Sequence, residues 1–319
     1  MPTITEGDIK QRYQYNLSRT MLESWVGALS DDFDSDQAVE KYPWIGTSPK
    51  MREWNGTRKA NRLVDYDFTV RNQKYEATVE IPGEYIRRGR FQHVDRFIRS
   101  LAVRNVRHWG LLMSKLIKDA ESATAYDGVS FFGTHNVGNA GDQSNDITYD
   151  ATTPAAPTVA EAADAIGAAI DNLLGRLDDQ GEPMHEGCKE FLVMVPHNLR
   201  KTFGAAIGNE LITNVGATGV ETNILQAYEG VMIRLVGSAR LSNALDGAAA
   251  WTTKFATFCL DAENKPFIRQ DEIAMSRMIK FLREGSDFEF ENDAWKVGTQ
   301  ASRAVAYGSW ESAVLTTFN

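Results

Sequence analysis

Between residues 93 and 121 the apolar positions Val94, Phe97, Ile98, Leu101, Ala102, Trp109, Leu112, Met113, Leu116 and Ile117 recur at intervals of three and four. That spacing places them on one stripe of a helix. No proline interrupts the stretch, and Gly110 is its only glycine. At 1.5 Å per residue such a helix is roughly 40 Å long, enough to act as a spine against which other layers pack. Phe97, Leu101, Trp109, Leu112 and Leu116 are its expected core residues, while Arg96, Arg99, Arg104, Arg107, Lys115 and Lys118 fall largely outside the stripe.

Upstream, Ile9, Tyr13, Leu17, Met21, Leu22 and Trp25 predict one amphipathic helix within residues 4–29. The acidic residues 30–37 then read as a solvated linker. Strict alternation in Tyr66, Phe68, Val70 and again in Tyr75, Ala77, Val79, Ile81, across the polar residues 71–74, predicts an antiparallel hairpin. A lone hairpin is barely stable in water, so this one is expected to lie on a neighbour.

Downstream, residues 124–146 have the Gly, Asn and Asp content of a long loop, pinned at Phe131 and Phe132. Thr158 and Glu161 have capping-box spacing ahead of a helix carrying Ile166, Ile170, Leu173, Leu174 and Leu177. Residues 191–195, 231–236 and 253–261 read as strands of an α/β or α+β unit, with a short helix starting at Leu199. The end of the chain predicts strands at 267–268, 278–282, 288–290, 295–297 and 305–310, which could close a sheet on the spine.

Composition narrows the class. Hydrophobic content of 43% and charged content of 24% over 319 residues are ordinary for a folded protein. No apolar run approaches the ~20 residues of a membrane span, and the N-terminus has no signal-peptide pattern. With only Cys188 and Cys259, a reducing compartment without disulfides is expected. The net charge of −9 is uneven, because residues 50–120 hold 16 Lys and Arg against 8 Asp and Glu. A basic middle in an acidic chain suits contact between copies, or one face turned to a polyanion.

Candidate chemistry is sparse. There is no P-loop, dinucleotide fingerprint or nucleophile elbow. His185 and Cys188 stand three apart with no second ligand pair nearby in sequence, which predicts no zinc site. His135, in a loop with aspartates, is the best general-base candidate, and would be the centre of a soluble hydrolase if the chain were one. A backbone-bonded loop histidine is the competing reading.

The stretch Tyr126-Asp127-Gly128-Val129-Ser130-Phe131-Phe132-Gly133-Thr134-His135, set after one long helix and before an α/β insertion and a terminal sheet, resembles the major head subunit family of Mu-like phages and prophages. That resemblance implies an α+β fold of the HK97 capsid type. It implies an N-terminal arm at 1–48, an E-loop at 49–85, the first part of the P-domain with its spine helix at 86–154, an A-domain at 155–262 and a closing P-domain sheet at 263–319. It further implies a non-enzymatic virion protein, assembled in the host cytoplasm into hexamers and pentamers around double-stranded DNA, with no cofactor, metal or membrane. A separate scaffold, a portal and a decoration protein are the implied partners. Trp54, Arg58, Lys59 and Arg62 become E-loop contacts between subunits, and Asp127, Phe131, Phe132 and His135 a structural pinned loop. An encapsulin-like shell around an enzyme cargo shares the fold, and the Asp-Gly-x-x-Phe-Phe loop stands against it.

Overall fold

The computed structural model describes residues 4–20, 22–45, 65–213, 219–228, 230–245, 247–273, 279–282 and 285–319. Helix α1 (Glu6–Arg19) opens on a capping box: the Thr5 side chain accepts from the Asp8 amide and the Asp8 carboxylate accepts from the Thr5 amide. Helix α2 (Ser24–Leu29) buries Trp25, Val26 and Leu29. Strands β1 (Ser30–Asp34), β2 (Val39–Ile45), β3 (Asp65–Arg71) and β4 (Gln73–Pro82) follow, then the short α3 (Gly83–Arg87) and the spine, α4 (Phe91–Asp119). At 29 residues the spine is about 43 Å long. Beyond it lie β5 (Thr134–Asn136), β6 (Asp142–Ser144), β7 (Asp146–Tyr149) and α5 (Val159–Leu174), the last started by the capping box of Thr158 and Glu161. The chain continues through β8 (Glu190–Pro196), α6 (Arg200–Gly208), β9 (Leu211–Thr213), β10 (Val220–Thr222), β11 (Met232–Ser238), α7 (Ala239–Ser242) and β12 (Lys254–Cys259). It ends in β13 (Phe267–Asp271), β14 (Ile279–Leu282), α8 (Asp287–Asn292), β15 (Ala294–Tyr307) and β16 (Ala313–Phe318).

Two five-stranded sheets organise these elements. The first is built on β15, which pairs antiparallel with β4 over residues 294–303 and also with β13 and β14, while β1 adds parallel to β13. The second has the order β11-β8-β12-β16-β7. The spine serves both. Its first half packs Val94, Ile98, Leu101 and Ala102 with α1 and with Ile81, Trp295 and Val297 of the first sheet. Its second half packs Trp109, Met113 and Ile117 against Leu192, Met194, Phe258 and Leu315 of the second sheet. The opposite face of that second sheet, with Phe191, Val193, Val195 and Phe255, is covered by the alanine-rich α5 and by α6. Helices on both faces explain why β8 reads as an unbroken apolar run.

Several expectations change. The strands of the expected hairpin exist but do not pair with each other: β3 pairs with β2, and β4 with β15. The switch occurs at Asn72, whose amide donates to Ala38 O and whose Nδ2 donates to Ser35 Oγ and Gln37 O. Alternation fixes which face is apolar and carries no information on the partner strand. The acidic linker includes β1, where Asp32 pairs with Arg269 at 2.7 Å. Residues 288–290 lie in α8, capped by Ser286, and Phe290 is 90% exposed, so its alternation marked no sheet face. Strand β15 runs unbroken through the polar positions that had separated two predicted strands, and β16 belongs to the second sheet rather than to the closing one.

The cysteine expectation is overturned as well. Antiparallel pairing of β12 with β8 sets Cys259 opposite Phe191, which brings it to Cys188, and a disulfide joins the two with their Cα atoms 6.7 Å apart. Seventy-one residues separate them in sequence, so only the sheet register brings them together.

Candidate functional site

The pinned loop is folded around Trp310. Phe131 and Phe132 are buried, and Phe131 stacks against Tyr307 and Phe267 beneath the spine. The His135 ring is 1% exposed; its Nδ1 lies 2.5 Å from Asp127 Oδ2 and its Nε2 3.3 Å from the Phe131 carbonyl. It stacks on Trp310 with centroids 3.9 Å apart and planes 7° from parallel. Burial pushes the Asp127 carboxyl up, but the hydrogen bonds from His135 and the Val129 amide outweigh it and hold the group below the usual carboxylate range. Asn145 completes the knot: its Nδ2 donates to the Phe131 and Trp310 carbonyls, and its Oδ1 accepts from Gly133.

An imidazole–carboxylate pair is one part of a general-base site, yet a base must reach its substrate. Here the ring faces a backbone carbonyl on one nitrogen, a carboxylate on the other and an indole across its plane. It orders a loop, and the hydrolase alternative fails on this burial.

The spine presents its other candidates unevenly. Leu101 and Trp109 are buried, and Leu112 and Leu116 are half-buried at the rim of the second core. Phe97 is a correction: it is half-buried at the edge of the stripe and belongs to none of the described cores, while its neighbour Ile98 takes the inward place. Trp54, Arg58, Lys59 and Arg62 lie outside the described residues.

Sequence reasoning missed the polar clasp that fixes the spine to the first sheet. Arg303 on β15 is 1% exposed. Its Nη1 and Nη2 donate to the backbone and side-chain oxygens of Asn105 at 3.0 Å, and its guanidinium lies 4.4 Å from the Trp109 ring. Asn105 Nδ2 in turn donates to Thr299 Oγ1 at 2.9 Å, and the Tyr13 and Thr299 hydroxyls are 2.6 Å apart. One buried network thus joins α1, α4 and β15. Asn105 could have revealed it, as a polar residue on the apolar stripe four positions from both Leu101 and Trp109.

Two surfaces stand out. Arg96, Arg99, Arg104 and Arg107 are exposed along the spine. Arg104 and Arg107 line a groove of about 380 Å³ with Tyr75, His108, Arg240 and Arg303. Burial, and then the Arg303 charge, push His108 down to about 4, so it adds no charge there at neutral pH. Elsewhere Val220 is 70% and Leu211 61% exposed at the β9–β10 tip, apart from Phe290 on α8.

A spine helix crossing two sheets, both completed by strands from the end of the chain, is the HK97-type capsid fold. The similarity extends over nearly the whole chain: a subunit of the bacteriophage JBD30 procapsid matches 99% of this chain and 77% of its own at TM-score 0.52 and 17% identity. A subunit of the bacteriophage PhiM1 mature capsid matches 94% and 88% at TM-score 0.56 and 12% identity, and one of the cyanophage P-SCSP1u capsid 91% and 86% at 0.52 and 13%. Over residues 5–159, just under half of its length, the chain matches the family described as the Mu-like prophage major head subunit gpT. It is also 28% identical over 106 residues to the major capsid protein of Escherichia phage Mu; the match spans 31% of this chain and about a third, 32%, of that relative's length.

Proposed function

We propose that this chain is the major capsid subunit of a Mu-like phage or prophage, and that copies of it form hexamers and pentamers closing into an icosahedral shell around double-stranded DNA. The family match over residues 5–159 carries the reading. The HK97-type fold supports it, and so do the exposed apolar residues Leu211, Val220 and Phe290, which a neighbouring copy would cover. In this reading residues 1–48 are the N-terminal arm, 49–85 the E-loop, 86–154 and 263–319 the P-domain, and 155–262 the A-domain, to which β7 and β16 lend their strands. Trp54, Arg58, Lys59 and Arg62 meet the adjacent subunit, and the exposed spine arginines meet acidic surfaces of other copies. A separate scaffold, a portal and a decoration protein act with it, and assembly takes place in the host cytoplasm before the subunit enters the virion.

The test is negative-stain electron microscopy of the protein expressed with and without its scaffold. Closed shells, tubes or capsomer rings are expected. Small dispersed particles in both preparations, at every concentration tried, overturn the proposal.

A further inference from the structure

The disulfide lies in a setting that a disulfide does not need. His185 is buried beside it, and one ligand-capable atom each of His185, Cys188 and Cys259 lies within 4.8 Å of the others. The His185 Nε2–H donates to the Glu311 carbonyl at 3.2 Å, which leaves Nδ1 as the ring nitrogen with a free lone pair. Such a hydrogen bond from the far nitrogen is the usual way a metal-binding imidazole is oriented. Asp261 sits on the other side: its Oδ1 is 3.2 Å from Cys259 Sγ, and its Oδ2 is held by the Lys189 amide at 2.8 Å. Around a tetrahedral ion with arms of roughly 2.3 Å to sulfur and 2.0 Å to oxygen, adjacent ligand atoms stand about 3.5 Å apart. Two sulfurs and an imidazole nitrogen therefore already converge within 4.8 Å, and the Asp261 carboxylate beside Cys259 is placed to serve as the fourth ligand.

We propose that the reduced form of this cluster binds one zinc-class divalent ion through the Cys188 and Cys259 thiolates, the His185 imidazole and the Asp261 carboxylate. Opening the disulfide takes two electrons and two protons, supplied by two molecules of a small thiol that leave joined as their own disulfide. Binding of the ion then expels the two cysteine thiol protons. In either state the same residues tie the loop before β8 to the end of β12, by a covalent bond or by coordination. The site is independent of the capsid reading and stands or falls without it.

The full-length protein, reduced with a phosphine under argon and freed of metal, is titrated with Co²⁺ and then with Zn²⁺ as competitor. One equivalent of Co²⁺ is expected to bind with a thiolate-to-cobalt charge-transfer band that Zn²⁺ abolishes. Cys188→Ser should lose the band. Because that variant also loses the disulfide, His185→Asn is the decisive companion: it keeps both sulfurs and the covalent bond, and is expected to weaken Co²⁺ binding by more than about tenfold, the scale produced even by losing an outer-shell partner. Circular dichroism confirms that each reduced protein is folded. Folded, reduced wild type that gives no charge-transfer band, or a His185→Asn variant that binds as tightly as wild type, overturns the proposal.

Discussion

Arg303 keeps a charge out of water between a helix and a strand, held by the Asn105 oxygens, the Trp109 ring and Asp271 at 3.5 Å. Truncating one member of a buried charged cluster strands the others, with a cost of about 3–5 kcal/mol. Arg303→Ala is therefore expected to lower subunit stability by that amount, read as a reduced urea midpoint of the unassembled protein. A midpoint within error of wild type would show that the clasp contributes no net stability. The clasp was half legible in the sequence. Asn105 breaks the stripe of the spine, but Arg303 looks like any arginine of a strand with one wet face. The pinned loop behaved similarly: Phe131, Phe132, Asp127 and His135 could be picked from a local motif, whereas Trp310, on which His135 stacks, lies 175 residues beyond it and carries no local signal.

Among the elements, α5 offers the sharpest pH signature. Burial pushes the Glu161 carboxyl up, but hydrogen bonds from Thr152 and Thr158 overcome this and hold it at about 2, against an ordinary 4.5. A folded-state value below the unfolded one means that this contribution is complete above about 4.5 and lost as pH falls towards about 2. Glu161→Gln should consequently be less stable than wild type at pH 6, with the gap in denaturant midpoint closing as pH drops through that window. A gap that stays constant down to pH 2 would separate Glu161 from the acid response. Elements with strong periodicity or caps, α4 and α5 above all, were readable because their signals are local. The pairing of β4 with β15, more than 200 residues away, was not, and neither was β1, whose outer residues are exposed and acidic and whose strand conformation depends on β13.

For the whole molecule, the E-loop reading makes a demand on assembly and none on folding. All the described sheets and cores are built from residues outside 54–62. Deleting residues 54–62 is expected to leave a subunit with the circular dichroism spectrum and thermal midpoint of wild type that forms no shells by electron microscopy. Normal shells from the deletion would remove the E-loop from the assembly contacts. Composition and the charge split pointed to contact between copies without locating it, because an interface between subunits leaves no periodicity of its own.

The placement of β15 and β16 also sets a timetable. The first sheet is built on β15 and the second holds β16 between β12 and β7, so neither exists in final form until residues 294–318 have been synthesised. Until then the spine has no finished sheet on either half of it. Pairings of such long sequence separation also form late and slowly. In the capsid reading, the surfaces through which copies would meet are therefore complete only once β16 has been added to the second sheet.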